Sequence, residues 1–146
     1  MRRVGLLVAV VVLAMAGVAS ALPYKTGTYK SGAQSGTSKP GVRIAVKAGS
    51  FSVQRISYPE KCTGGDPEID DEFNFIAGSS ASLTGKIKAN GHFSGKFQSS
   101  EGTVKVSGKV KGRKATVNSS ETNKYTPPGS TATYTCRGSQ TFHAAK

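Results

Sequence analysis

The stretch "LTGKIKANGHFSGKF", residues 83–97, decides the fold class that we predict for this chain. On both sides of Asn90-Gly91, apolar residues and glycines alternate with lysines and other polar residues. A period of two is typical of a β-strand with one buried face, and Asn-Gly is the strongest two-residue signal for a hairpin. The stretch therefore predicts a β-hairpin whose lysines lie on the solvent face.

The same pattern returns downstream, since "TGKIK" at 84–88 and "SGKVK" at 107–111 are two copies of one motif spaced 23 residues apart. The second copy belongs to a strand that we predict to end at a turn around Gly112-Arg113. Glycine at an inward-facing position permits the bending and close approach that closure of a sheet requires. Such glycines recur on these strands at Gly85, Gly95 and Gly108.

A second hairpin is predicted upstream, in "GVRIAVKAGSFSVQRISY" at 41–58, with its turn at Ala48-Gly49. The apolar residues change parity between Val53 and Ile56. One extra residue in a strand produces such a change, so we predict a β-bulge or a crossover near Gln54–Arg55.

Further strands are predicted around Thr26–Lys30, over Ala115–Asn118 and from Thr131 to Phe142, with almost no helix signal anywhere after the N-terminal segment. The predicted fold class is all-β, an antiparallel meander of about eight strands that closes as a small barrel or a sandwich. Periodicity does not distinguish these two architectures.

The N-terminus has the features of a secretory signal peptide. Arg2 and Arg3 precede an apolar run, and Ala19–Ala21 supplies a small-residue cleavage site. The alternative is an uncleaved anchor helix over Val4–Leu22, which approaches the length needed to span a bilayer. The small residues favour cleavage, and the short Arg-Arg signal suggests a bacterial source.

We therefore predict a signal peptide at 1–21, a short strand with a flexible Gly/Ser/Thr/Lys-rich segment at 22–40, and a single antiparallel β domain at 41–146. Cleavage leaves 125 residues, enough to bury a core. The protein is expected to be secreted or extracellular, in contact with the cell surface, with no membrane span after cleavage. The sequence leaves the oligomeric state open.

Cys62 and Cys136 are the only cysteines of a chain that carries a secretion signal. Oxidising compartments favour disulfides, so we expect the two to pair.

Charge gives the main indication of function, because the formal net charge of +12 falls only to +10 when Arg2 and Arg3 are removed. A basic face attracts polyanions such as acidic envelope polymers, acidic polysaccharides or anionic lipid head groups. The absence of Trp argues against a nucleic-acid partner, which would use stacking platforms. The predicted polyanion-binding residues are Lys86, Lys88, Lys96, Lys105, Lys109, Lys111, Arg113 and Lys114. A basic face that only aids solubility is the alternative.

The hairpin at 83–97 resembles the Thr-Gly hairpins of avidin-like barrels, a resemblance that covers this one hairpin. It implies a small barrel that could carry an apolar small ligand in its interior. Biotin pockets in that family rely on tryptophans, which this chain lacks, so the identity of the ligand is not transferred.

No catalytic residues and no cofactor are predicted. His92 and His143 are the only histidines and are expected to be exposed, and no G-x-S-x-G motif occurs. The acidic segment "GGDPEIDDEFN" lacks the glycine and the final glutamate of an EF-hand loop. Within this segment a solvated loop is the main prediction. A looser calcium site is the alternative, with Asp66, Glu68 and Asp70 as candidates.

Overall fold

A computed structural model describes residues 21–35, 39–64, 72–76, 83–100 and 102–146, with the backbone alone for 72–76. The predicted signal peptide at 1–21 lies almost entirely outside these residues. The calcium candidates Asp66, Glu68 and Asp70 lie outside them as well. No helix in the described part of the chain has the length and apolar character needed to cross a membrane.

The described residues form nine β-strands and no helix, which confirms the prediction of an all-β fold. The strands are β1 (Gly27–Gly32), β2 (Gly41–Lys47), β3 (Ser50–Thr63), β4 (Glu72–Ile76), β5 (Thr84–Lys86), β6 (His92–Gln98), β7 (Gly102–Lys111), β8 (Lys114–Tyr125) and β9 (Tyr134–Ala145).

All pairings between these strands are antiparallel and join them in one sheet. Eight strands follow the order β4-β3-β2-β1-β9-β8-β7-β6. The short strand β5 pairs with the start of β3, and an isolated bridge joins Ile87 to Phe93 of β6. The far end of β3 also pairs with β9 over Lys61–Thr63.

The predicted turns and the predicted bulge are present. Gly49, Gly91 and Gly112 have positive φ angles of 75°, 82° and 57°, a backbone region that favours glycine, and each lies in or at the end of a predicted turn. Between β2 and β3, Arg43 pairs with Arg55 and Ile44 pairs with Val53, so Gln54 is the extra residue of a β-bulge.

The inner face of the sheet has two parts that differ in chemistry. The apolar half contains aliphatic and aromatic side chains that are almost fully buried, among them Val42, Ile44, Val46, Val110 and Val117. The polar half lies further along β3, β8 and β9, and we define it as Tyr58, Glu60, Ser119, Glu121, Asn123 and the Cys62–Cys136 disulfide. The disulfide confirms the predicted pairing and is typical of an oxidising, extracellular-type environment.

β1 covers Gly27–Gly32 instead of Thr26–Lys30, and β9 covers Tyr134–Ala145 instead of Thr131–Phe142. Three further differences concern this polar half or its neighbour. β8 continues to Tyr125 instead of ending near Asn118, and β3 continues to Thr63 instead of ending near Tyr58. The end of the acidic segment forms β4, which pairs with β3, whereas a solvated loop was expected there. The backbone can continue as a strand because its hydrogen bonds are made by the neighbouring strands, whatever the side chains are.

Candidate functional site

The eight predicted polyanion-binding residues are all exposed, which agrees with lysines on the outer face of the pleat. The register places lysines directly opposite one another in two rows, Lys96 with Lys105 between β6 and β7, and Lys111 with Lys114 between β7 and β8. Lys109 lies between these rows, opposite His92. We call the five residues Lys96, Lys105, Lys109, Lys111 and Lys114 the lysine face.

The other three predicted residues lie beside the lysine face. Lys86 is on β5, opposite Ser50 of β3, and Lys88 follows β5 and bonds through its backbone N–H to His92 O at 2.8 Å. Arg113 lies in the turn between β7 and β8. The structure therefore concentrates five of the eight predicted residues on two adjoining strand pairs.

Shallow grooves follow the lysine face, among them two that contain lysines of the two rows. Lys109, Lys111, Lys114, Thr116 and His143 line the first. The second is lined mainly by small polar side chains and two lysines, namely Ser94, Lys96, Lys105, Ser107, Asn118 and Ser120. Cations beside hydroxyl and amide groups can hold anionic oxygen atoms by charge and by hydrogen bonds together.

No exposed carboxylate neutralises the lysine face among the side chains that the structure describes. The two acidic side chains in that part of the chain, Glu60 and Glu121, are 4% and 5% exposed and belong to the polar half of the interior. The outer surface of the described strands is therefore strongly positive.

Glu60 and Glu121 approach each other across β9, because Gly138 stands between them without a side chain. Gly138 is the register partner of Glu121. A Cβ atom placed on Gly138 would lie 2.7 Å from Cε2 of Tyr58 and 3.0 Å from Cγ of Glu60. The glycine thus leaves the space in which side chains of β3 and β8 meet.

Asn123 and Ser119 supply the hydrogen bonds that join β3 to β8. Nδ2 of Asn123 donates to Oε1 of Glu121 at 2.9 Å and to Oε2 of Glu60 at 3.5 Å. Oγ of Ser119 donates to the Tyr58 hydroxyl oxygen at 3.1 Å. Three buried oxygens have no hydrogen-bond partner, namely Oε1 of Glu60, Oε2 of Glu121 and Oδ1 of Asn123.

The pKa of Glu121 is raised to about 9, chiefly by burial and then by the hydrogen bond and charge of Glu60, while hydrogen bonds from Asn123 and Tyr58 act in the opposite direction. The pKa of the Tyr58 hydroxyl is also raised, chiefly by burial. A carboxyl group in apolar surroundings and beside a second carboxyl retains its proton at neutral pH. Glu121 is therefore protonated at pH 7.

Sequence reasoning did not find this pair, because Glu60 and Glu121 stand 61 positions apart in segments without apolar alternation. A buried charged position on a strand has no signature in a single sequence. The histidines behave as predicted, since both His92 and His143 are exposed. In the described part of the chain, no three or more His, Cys, Asp or Glu residues form a group that could hold a metal ion.

Comparison with known proteins gives no relative for this chain: no protein-family model, no curated protein and no solved structure matches it.

Proposed function

We propose that this protein is a secreted, non-catalytic β domain that binds anionic polymers of the cell envelope or the extracellular space through its lysine face. The observation that carries the proposal is the direct opposition of Lys96 to Lys105 and of Lys111 to Lys114. Like charges in directly opposed positions of a sheet destabilise it. A bound polyanion would remove this repulsion, which the described carboxylates do not do.

The distribution of the charges favours a polymer over a single small anion. Lys105, Lys109 and Lys111 all point outward from β7. Because a strand rises about 3.4 Å per residue, they extend over about 20 Å. A chain with repeated anionic groups can contact both lysine rows and both grooves at once, whereas one small anion contacts a single row.

Closure of the sheet as a small barrel is part of this proposal. It is supported by the pairing of β5 with β3 and by the bridge from Ile87 to Phe93, which together link β6 to β3 on the far side of the sheet. In such a barrel the outer surface of β6, β7 and β8 would be convex. The long side chains of the lysine face would then reach a polymer without obstruction from neighbouring strands.

Salt-dependent retention of the secreted protein on isolated cell envelopes tests the proposal. A triple variant, Lys109→Glu with Lys111→Glu and Lys114→Glu, should elute at much lower salt than the wild type, because charge-driven binding weakens steeply with ionic strength. The matched control carries Lys39→Glu, Lys47→Glu and Lys61→Glu. These three lysines are also exposed, but Lys39 precedes β2, Lys47 lies on β2 and Lys61 lies on β3. Because both variants carry three Lys→Glu changes, they have the same net charge.

The control variant should keep most of the retention of the wild type on envelopes. Equal loss of retention in both variants would contradict a dedicated face, because only the net charge would then matter. Full retention of the lysine-face variant would contradict the proposal as well.

A further inference from the structure

We infer that the anionic polymer is an acidic polysaccharide, and that it continues from the lysine face across β9 to two further cations, Lys30 on β1 and Arg43 on β2. This inference rests on the function proposed above and extends its binding surface. We define the cation row as Lys111, Lys114, Lys30 and Arg43.

Direct register pairing aligns the cation row across five neighbouring strands. Lys111 pairs with Lys114, and Lys114 pairs with Ala145. Ala145 in turn pairs with Lys30, and Lys30 pairs with Arg43. Register partners share one face of a sheet, and neighbouring strands lie about 4.8 Å apart, so the row extends over about 19 Å from β7 to β2.

The row lies on the outer face. The lysines and Ala145 are exposed, and Arg43 is half-buried between Val42 and Ile44, which are completely buried on the inner face. Positive charge also continues onto β3, because Arg55 is the register partner of Arg43. Among the described side chains the two carboxylates are inside the sheet, so an external polyanion is needed to offset these opposed charges.

The guanidinium of Arg43 is held in place and still has donors for a ligand. Its Nε donates to Oε1 of Gln34 at 3.1 Å. Nε2 of Gln34 donates to the carbonyl oxygens of Ser31 and Gly32, each at 3.1 Å, and this fixes the amide. The Nη groups of Arg43 have no partner among the described residues, so they remain for a carboxylate of the polymer.

Ala145 leaves space for a sugar ring in the middle of the row. It lines the same groove as Lys111, Lys114 and Thr116. A methyl side chain projects less than a lysine, so a polymer can approach the backbone of β9 at this position. A sugar ring above Ala145 would place neighbouring carboxylates at Lys114 on one side and at Lys30 on the other.

Neutral polar groups beside the row favour a polysaccharide over a polymer that carries charge alone. Thr116 lies in the groove of the row, and Ser107, Asn118 and Ser120 line the adjoining groove. Hydroxyl and amide groups both donate and accept hydrogen bonds, as sugar hydroxyls do. An acidic polypeptide or a phosphate chain has no hydroxyl groups along its length to use these side chains.

Binding of polygalacturonate by the secreted protein across a salt series tests the inference. In the double variant Lys30→Gln with Arg43→Gln, the slope of log affinity against log salt should become shallower by about one to two, because each lost contact removes about one counterion from the release. The matched control is Lys47→Gln with Arg137→Gln, two exposed cations outside the cation row and the lysine face. It should keep the wild-type slope, and both variants should keep the wild-type circular dichroism spectrum.

Poly-L-glutamate is the matched ligand, since it carries one carboxylate per repeat but no hydroxyl groups. At equal salt it should bind at least fivefold more weakly than polygalacturonate. Equal or tighter binding of polyglutamate would overturn the polysaccharide as the occupant.

The outcome also separates this inference from the function on which it rests. A wild-type slope in the Lys30→Gln, Arg43→Gln variant would overturn the extended surface, and so would an equal change of slope in the control. If the lysine-face triple variant still lost its retention on envelopes, the proposed function would stand without the extension. Wild-type retention of that triple variant would contradict the proposed function itself.

Discussion

The two halves of the interior are built on different principles. In the apolar half, residues such as Ile44, Val110 and Val117 are completely buried and are held by hydrophobic burial and close packing. In the polar half, Glu60 and Glu121 are buried at nearly the same level but without complete hydrogen bonding. Burial of polar groups costs free energy unless partners are present, so this half depends on other sources of stability.

The disulfide is the main source of stability that the polar half has and the apolar half lacks. Cys62 and Cys136 are register partners on β3 and β9, and they pack with Tyr134 in a small cluster apart from the main core. Closure of a long loop stabilises a fold by limiting the unfolded chain. The comparison predicts that the polar half unfolds before the apolar half when the disulfide is removed.

The largest effect is therefore expected from the double variant Cys62→Ala with Cys136→Ala. The bridge joins residues 74 positions apart. Chain entropy for a loop of this length gives a loss of about 4 kcal/mol in the free energy of unfolding. Urea titration monitored by circular dichroism measures this loss directly.

Hydrogen exchange on the same variant locates the effect. Backbone amides of Lys61–Thr63 should lose protection more than those of Val42–Val46, which lie on β2 in the apolar half. Equal loss of protection in both regions would show that the halves unfold together, and the distinction between them would have no energetic meaning.

The same contrast explains which parts of the fold could be predicted from sequence. The alternation of Val104 and Val106 with Lys105 predicted both the inner and the outer face of β7, because hydrophobic burial determines that strand. In β8 the inward positions after Val117 are Ser119 and Glu121, which have no apolar signal. The second half of β8 was therefore missed although its backbone pairs fully with β9.

The candidate sites follow the same rule. The eight polyanion-binding residues were predicted from local alternation, and the structure brings five of them together as the lysine face. The carboxyl pair depends on a contact between Glu60 and Glu121, which only the arrangement of β3, β9 and β8 brings about. Neither the pleat nor the spacing within one strand carries information of this kind.

Gly138→Ala is expected to give the next largest effect, because it adds a methyl group between the two carboxyl residues. The new Cβ would lie 2.7 Å from Cε2 of Tyr58 and 3.0 Å from the carbonyl oxygen of Pro59, which is backbone and cannot move away easily. Overpacking of this kind costs about 1–3 kcal/mol. Ser139→Ala is the matched control, since Ser139 is the adjacent, exposed residue on β9.

Urea titration of both variants measures the difference in the free energy of unfolding. Ser139→Ala should remain near the wild type. Wild-type stability of Gly138→Ala would mean that β3 and β8 separate at little cost, and it would contradict a close contact of Glu60 with Glu121 above Gly138.

The smallest effect concerns pH and distinguishes the halves by charge alone. Glu121 has a pKa of about 9 in the fold against an ordinary value of 4.5, through burial first and Glu60 second. Its neutral form stabilises the fold fully below about pH 4.5. As the pH rises towards 9, the unfolded chain releases this proton and the folded chain keeps it, so stability falls by at most about 1.4 kcal/mol per pH unit. Glu121→Gln cannot lose a proton, and between pH 7 and 8 its stability should therefore decline less than that of the wild type, by at most about 1.4 kcal/mol. Parallel curves would contradict this, because they would show that Glu121 is already ionised in the fold.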